Sequence, residues 1–392
     1  MPWKETSVLE QRRAFIEDVL AGRGSVRALC EKYGISEKTG HKWKRRFMES
    51  GLAGLADEGR APHSSPAKLD EDAVIRVLGI RRAHPTWGPR KIAALYARAY
   101  PGRPAPSESG IYRVLGKAGL VAPRRVRAAP CGSAGSMRRP MPAESPNDVR
   151  AAGSKGWWVS DGERCLPLTV RGLAGRAILE VGLMESASAE AVRERFEGLF
   201  SRFGPPRAIG SDDGAPFATT TGFLGLATLG AWWMSLGIVP DRTQPGRPGQ
   251  NGSHERMHAD LSREVQGRAP GGVAANQAAL DAWAEEHNRE GPHEALGMAT
   301  PSEACSPSGR ACDPAADSEH PMGCLPGKVD EAGEVKLGGR PYRLGSALRG
   351  LTVGVQPDEG GATVWLGGFP IASLDFSTEG VRPIDILTGE EA

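Results

Sequence analysis

The stretch Asn251-Gly252-Ser253-His254-Glu255-Arg256-Met257-His258 carries three side chains able to do chemistry, and their spacing admits two kinds. On a helix, His254 and His258 fall one turn apart with Glu255 beside them, the His-Glu-x-x-His arrangement that holds zinc and supplies a base for peptide hydrolysis. In the other reading Glu255 is itself the metal ligand and the histidines merely flank it. The first reading makes a protease; the second points to nucleic acid. The zinc reading needs a third ligand, for which Glu286, His287 and His293 are the downstream candidates. Against it, zinc-protease helices are apolar around the motif, whereas this one is polar and follows the Pro/Gly-rich loop Asp241-Arg242-Thr243-Gln244-Pro245-Gly246-Arg247-Pro248-Gly249-Gln250.

Whichever chemistry holds, other elements must position it. From about residue 153 the pattern is of strands: GWWVSDGERCLPLTV and GRAILEVGLM, then an amphipathic helix in SAEAVRERFEGLFSRFG and a short buried strand, PRAIGSDDG, ending in acids. Helices are expected at 217–235, 251–267 and 272–289, and the whole reads as an α/β domain over residues 151–305. Residues 325–385, with short apolar runs between Gly-rich turns, read as a small all-β barrel of about five strands.

The amino-terminal half is helical. SVRALCEKYGISEKTGHKWKRRF breaks at Gly34 and restarts at Ser36, a helix-turn-helix pattern over residues 1–65. Its second helix turns Ile35, Trp43 and Phe47 inward and leaves Lys38, His41, Lys42, Lys44, Arg45 and Arg46 for a major groove. A second such unit spans 66–122 and contributes Arg90, Lys91 and Arg113 as further candidate DNA contacts. Residues 123–150, rich in Arg, Pro, Ala, Gly and Ser, read as a basic linker able to track phosphates.

Charge agrees. The net +2 divides into 28 Lys+Arg against 15 Asp+Glu over residues 1–150 and 21 against 32 over the rest. A basic half suits counterion release from a duplex. No apolar run is long enough to span a membrane, and the start of the chain lacks a signal-peptide pattern, so a soluble, intracellular protein is expected. The six cysteines are scattered, with no Cys-x-x-Cys pair, so neither a zinc ribbon nor a disulfide framework is indicated.

Taken in order, GISEKTGHKWKRRF, HPTWGPRKIA, CLPLTV, SDDGAPFA, GIVPDRTQPGRPGQNGSHERMHADL and GPHEALGMATPSEA, with the β-rich tail, resemble the landmarks of bacterial insertion-sequence transposases of the 481 type, in the retroviral-integrase superfamily. The resemblance covers nearly the whole chain. It implies a multidomain protein: all-α helix-turn-helix domains, an RNase H-like integrase core and a small β-barrel. It also implies an Asp, Asp, Glu triad holding Mg2+ or Mn2+, because two hard cations clamp the attacking and leaving oxygens of an in-line phosphoryl displacement. Element-end DNA, target DNA and further copies of the chain are the implied partners.

Carried over residue by residue, Asp212 matches the second aspartate and Glu255 the glutamate. The first aspartate is missing. The family reads approximately Pro-Asn-x-x-Trp-x-x-Asp-x-Lys-Gly-Trp, and Pro146-Asn147 and Lys155-Gly156-Trp157 set a gap-free register that puts Gly153 at the aspartate. Asp148 and Asp161 are the nearby acids. The acidic turn usual after LTV is Arg171-Gly172-Leu173-Ala174-Gly175, Asp213 stands for an Asn, and Gly291 stands for an Arg. The expectation is a DNA-binding transposase relative whose cleavage and strand transfer are impaired, or a dead relative that only binds.

Overall fold

The computed structural model describes residues 7–57, 69–121 and 141–391, apart from 155, 212–213, 215, 218, 220–222, 243–251, 267, 269–270, 311–318, 388 and 390. The chain divides into two compact units, Met1–Lys68 and Leu69–Ala392.

In the first unit α1 (Val8–Leu20), α2 (Val26–Lys32) and α3 (Glu37–Ser50) each start at a serine, Ser7, Ser25 and Ser36, whose hydroxyl accepts an amide of the first turn. Phe15, Ile16, Leu29, Cys30, Trp43 and Leu55 form the core. Gly40 on α3 faces Cys30 and Phe15 so closely that a Cβ would collide with the thiol. Asp18, 4% exposed, ties the turn together by accepting from Lys32 Nζ, Tyr33 Oη and Arg23, all at 2.8 Å. The Lys32 bond, then that of Tyr33, holds its carboxyl at about 2 against an ordinary 3.8. A carboxyl depressed by folding stabilises above its unfolded value and loses that contribution as pH falls through the folded one. The melting midpoint of this unit is therefore expected to drop between pH 4 and pH 2, and Asp18→Asn to flatten that slope in a thermal melt series.

The second unit opens with α4 (Glu71–Ala83), α5 (Pro89–Ala99) and α6 (Glu108–Lys117), packed around Val77, Trp87, Ile92, Tyr96, Ile111 and Leu115. A six-stranded sheet follows: β1 (Val149–Ser154), β2 (Trp158–Ser160), β3 (Glu163–Gly172), β4 (Ile178–Met184), β5 (Ala208–Ser211) and β6 (Val239–Arg242). β1 lies between antiparallel β3 and parallel β5, β6 pairs β5 in parallel, and β2 and β4 both pair β3. On one face α7 (Ala189–Phe203) and α8 (Thr228–Ser235) bury Val170, Phe196, Leu199, Trp232 and Trp233. On the other, α9 (Gly252–Glu264) and α10 (Val273–Arg289) bury Cys165, Val181, Met257, Leu261, Leu280 and Trp283. The helix expected over 217–235 is shorter, because α8 starts only at Thr228. Buried Arg150 ties β1 to the end of α7 by donating to the carbonyls of Phe203 and Gly204, and burial lowers it to about 10.

Strand alternation after residue 324 gives an antiparallel meander of β10 (Thr352–Asp358), β11 (Gly361–Leu366), β12 (Phe369–Asp375) and β13 (Gly380–Pro383), with β7 (Leu325–Lys328) on β10. The hairpin β8 (Glu334–Leu337) and β9 (Arg340–Arg343) adds Val335 and Tyr342 to its core, which also takes Leu226, Ala231 and Met234 from around α8. Among the described residues no strand pair joins β7 to β13, so the expected closed barrel is not shown; the pairing is that of an open sheet.

Candidate active site and DNA-binding surface

Gly153 sits near the end of β1, opposite Thr169 of β3 and one residue past the Ala152–Ser211 pair with β5. The sheet therefore brings the end of β5 beside Gly153, as a carboxylate pair would require. Asp212, the next residue, lies outside the described residues. α9 crosses this end of the sheet, and its side chains that meet Gly153 are imidazoles: a Cβ at 153 would stand 3.1 Å from His254 Nε2 and 3.7 Å from His258 Cε1. Glu255, on the same helix, is exposed.

The two imidazoles serve Thr169. Its hydroxyl donates to the Gly153 carbonyl at 2.9 Å and lies 3.1 Å from His254 Nε2 and 2.7 Å from His258 Nε2. A hydroxyl with its proton spent can only accept, so both rings are Nε2–H tautomers in this network. Burial, then the neighbouring His258 and Arg171, holds His254 well below the ordinary histidine range. Both Nε2 atoms thus converge on a hydroxyl, which separates this helix from the zinc-protease arrangement. Among the described residues no group of three His, Cys, Asp or Glu side chains is placed to hold a metal ion.

Neither nearby acid lies beside Gly153. Asp148 precedes β1, five residues from Gly153 and so roughly 16 Å along an extended strand, and its oxygens take Arg207 Nε and Nη2 at 3.0 and 2.9 Å. That bond keeps its carboxyl below the usual range. Asp161 occupies the β2–β3 turn, next to the Ser160–Glu163 pair. Thr169, across from Gly153, is six residues along β3 from Glu163, roughly 20 Å away.

The proposed DNA contacts divide. Lys38, Lys42 and Arg45 are exposed on α3, with His41, while Lys44 is half-buried. Arg46 folds back, donating to the Ala56 carbonyl at 2.9 Å and lying over Trp43. Arg113 is exposed on α6. Arg90 is held by Glu108 at 3.2 Å and Glu294 at 2.6 Å, and Lys91 faces a cavity. The segment HPTWGPRK, read from sequence as part of a DNA-binding unit, also docks that unit on the sheet domain: His84 stacks on Trp87 and bonds Glu286 of α10 at 2.5 Å. Arg98 adds bonds to the Met298 carbonyl and Glu303 at 2.7 and 3.1 Å. Gly291, where an Arg was expected, has no space for one, since a Cβ would stand 2.7 Å from the His287 carbonyl oxygen.

Sequence reading missed Arg171 and Arg176 as members of a site. The signal was present in Arg171, a charged residue inside an apolar strand. It is 5% exposed, donates to the Ser253 carbonyl at 2.8 Å, and is lowered to about 10 by burial.

Three segments of the chain match family models. Residues 11–63 match a helix-turn-helix domain, 39–115 a homeodomain-like domain and 236–301 an integrase core domain. An uncharacterized 31.7 kDa protein of insertion element IS407 from Burkholderia multivorans is 25% identical over 277 residues, 70% of this chain and 92% of that protein. Among solved structures, the HTLV-2 integrase catalytic core in complex with magnesium aligns at 13% identity and a TM-score of 0.32, over 42% of this chain and 99% of that one. The simian T-cell lymphotropic virus intasome in complex with PP2A regulatory subunit B56 gamma aligns at 13% and 0.36, over 73% and 91%. The likeness rests on the sequence matches: the chain carries segments that match helix-turn-helix domains and an integrase core domain, and it is similar to an insertion-element protein.

Proposed function

We propose that this protein binds the ends of its own insertion element, as a transposase of the 481 type does, and that metal-dependent cleavage and strand transfer are impaired in it. The single observation that carries the reading is Gly153, set in the sheet beside the end of β5 and faced by two imidazoles bound to a threonine. Asp212 and Glu255 are the residues that would hold Mg2+ or Mn2+, and shared carboxylates are what two-metal phosphoryl transfer needs. Glycine at 153 offers no ligand and the Thr169 hydroxyl is committed to the Gly153 carbonyl, so such a site would have two carboxylates, Asp212 and Glu255, in place of three. Metal binding is accordingly weak in this reading, and no reaction step is assigned to it. The alternative, a relative that does no strand chemistry at all, differs only in degree.

Element-end recognition falls to α3, helped by Arg113 and the basic segment 123–140, with further copies of the chain needed to bring two ends together. No helix among the described residues is long and apolar enough to cross a membrane, in keeping with action on DNA in the bacterial cytoplasm. The test is duplex binding by the full chain across a salt series, using the gene's own flanking ends against a scrambled duplex. A preference for the ends is expected, with Lys42→Gln and Arg45→Gln each lowering the log-log salt slope by about one where the residue contacts a phosphate. Equal, weak binding to both duplexes at every salt would sink the reading.

A further inference from the structure

A cavity of about 700 Å³ lies between the amino end of α5, α9, α10 and the segment 291–295. It falls within the roughly 300–1,000 Å³ range of pockets that enclose a small ligand. Its charged lining is lopsided in a particular way. The acids are engaged: Glu294 with Arg90, Asp260 with Arg263, Glu286 with His84, and Glu264 with the Trp283 indole. Lys91, Arg171, Arg176 and Arg256 line the same space, and none closes a salt bridge among the described residues.

Two of these cations carry buried donors with no hydrogen-bond partner among the described residues, Arg171 Nε and Arg176 Nε, and His293 Nε2 is likewise without one. Leaving such groups desolvated is costly unless something of opposite charge meets them. The amino end of α5 adds to the field: Gly88 provides no side-chain cap, Pro89 occupies the first turn, and both line the cavity. Burial, then the neighbouring His293, keeps His287 at about 3, and burial, then Lys91, keeps His293 at about 4, so neither ring adds charge at neutral pH.

We infer that this cavity is an anion site that takes one phosphodiester group of the DNA backbone, held between the second helix-turn-helix unit and the integrase core. The inference rests on the DNA-binding reading above. α5, at the rim, lies in the homeodomain-like match and α9 in the integrase-core match, so a phosphate here would be contacted by both parts at once.

The test uses the full chain with Lys91→Gln and Arg176→Gln, and with Arg193→Gln on α7, at the other face of the sheet, as control. Duplex affinity is measured from about 50 to about 200 mM salt, and inorganic pyrophosphate is titrated by calorimetry. Each cavity variant is expected to bind duplex roughly three- to tenfold more weakly at low salt with a log-log slope smaller by about one. The control should match the natural protein. Pyrophosphate should bind the natural protein and not Lys91→Gln. Unchanged duplex binding in both cavity variants, with no pyrophosphate uptake, overturns the site. Pyrophosphate uptake that Lys91→Gln abolishes while duplex binding stays intact overturns the backbone assignment and leaves a site for a free phosphate. A natural protein that binds no duplex removes the DNA-binding reading, and the pyrophosphate titration still decides whether the cavity takes an anion.

Discussion

Gly153→Asp is expected to turn a protein that leaves DNA intact into one that nicks its element ends in Mg2+ or Mn2+. Gly153 lies in β1 with an ordinary extended backbone, outside the positive-φ set, so an L side chain is conformationally acceptable there. The new Cβ would press His254 Nε2 at 3.1 Å, a contact relieved by a few tenths of an ångström of movement in a side chain. Losing glycine from a strand returns on the order of 0.5–1 kcal/mol of backbone entropy, which offsets that strain. The carboxylate would arrive beside His254 and Thr169 on β1, next to the end of β5, the strand that leads to Asp212.

Catalytic groups that act as a unit lose most of their effect when one is removed, so restoring the third should raise cutting by on the order of 10³-fold or more. The measurement is cleavage and joining of labelled end DNA by the natural protein, Gly153→Asp, and Gly153→Asp with Glu255→Gln, the last of which should be silent. A natural protein that cuts unaided would show that the missing ligand is supplied by a residue other than an acid at 153. A folded, DNA-binding Gly153→Asp protein that remains silent, with or without His254→Ala to clear space, would sink the alignment of Gly153 with the first aspartate.

The largest effect on stability is expected at Trp233. It is fully buried on α8 in the core between the sheet and α7, edge-on to Phe196 at 5.1 Å and stacked with Phe217 at 6.1 Å. Truncating an aromatic side chain this enclosed removes its burial and leaves a cavity that the rigid sheet cannot close, at a cost of about 3–5 kcal/mol. Trp233 Nε1 has no hydrogen-bond partner among the described residues, so Trp233→Phe discards an unpaired donor together with some volume and should cost clearly less. Urea unfolding of the natural protein and both variants, monitored by far-ultraviolet circular dichroism, checks the order. A Trp233→Ala loss below about 1 kcal/mol would mean that α8 is not packed as described.

Local chemistry determined the elements. Serines 7, 25, 36, 107 and 188 cap the helices they precede, because a hydroxyl at that position satisfies an amide the helix cannot. Apolar alternation in Cys165-Leu166-Pro167-Leu168-Thr169-Val170 makes a central strand with neighbours on both edges, and the break at Gly34 separates α2 from α3. The helix that carries Glu255 was legible in the same way, from residue type and spacing along the chain. The start of α8 at Thr228 was not, since apolar content alone does not fix where a helix begins.

What only the tertiary structure decided is which side chains share a space. That Asp148 is committed to Arg207 and Asp161 stands far along a hairpin follows from sheet register, which places residues by their partner strand and not by their distance in sequence. His84 meets Glu286 across about two hundred residues; Arg90, expected as a DNA contact, pairs with Glu108 and Glu294. Lys91, Arg171, Arg176 and Arg256 become one electrostatic site only when α5 closes over α9 and α10. A charge acts over a few ångströms of space, and the path of the folded backbone, not the order of residues, sets those distances.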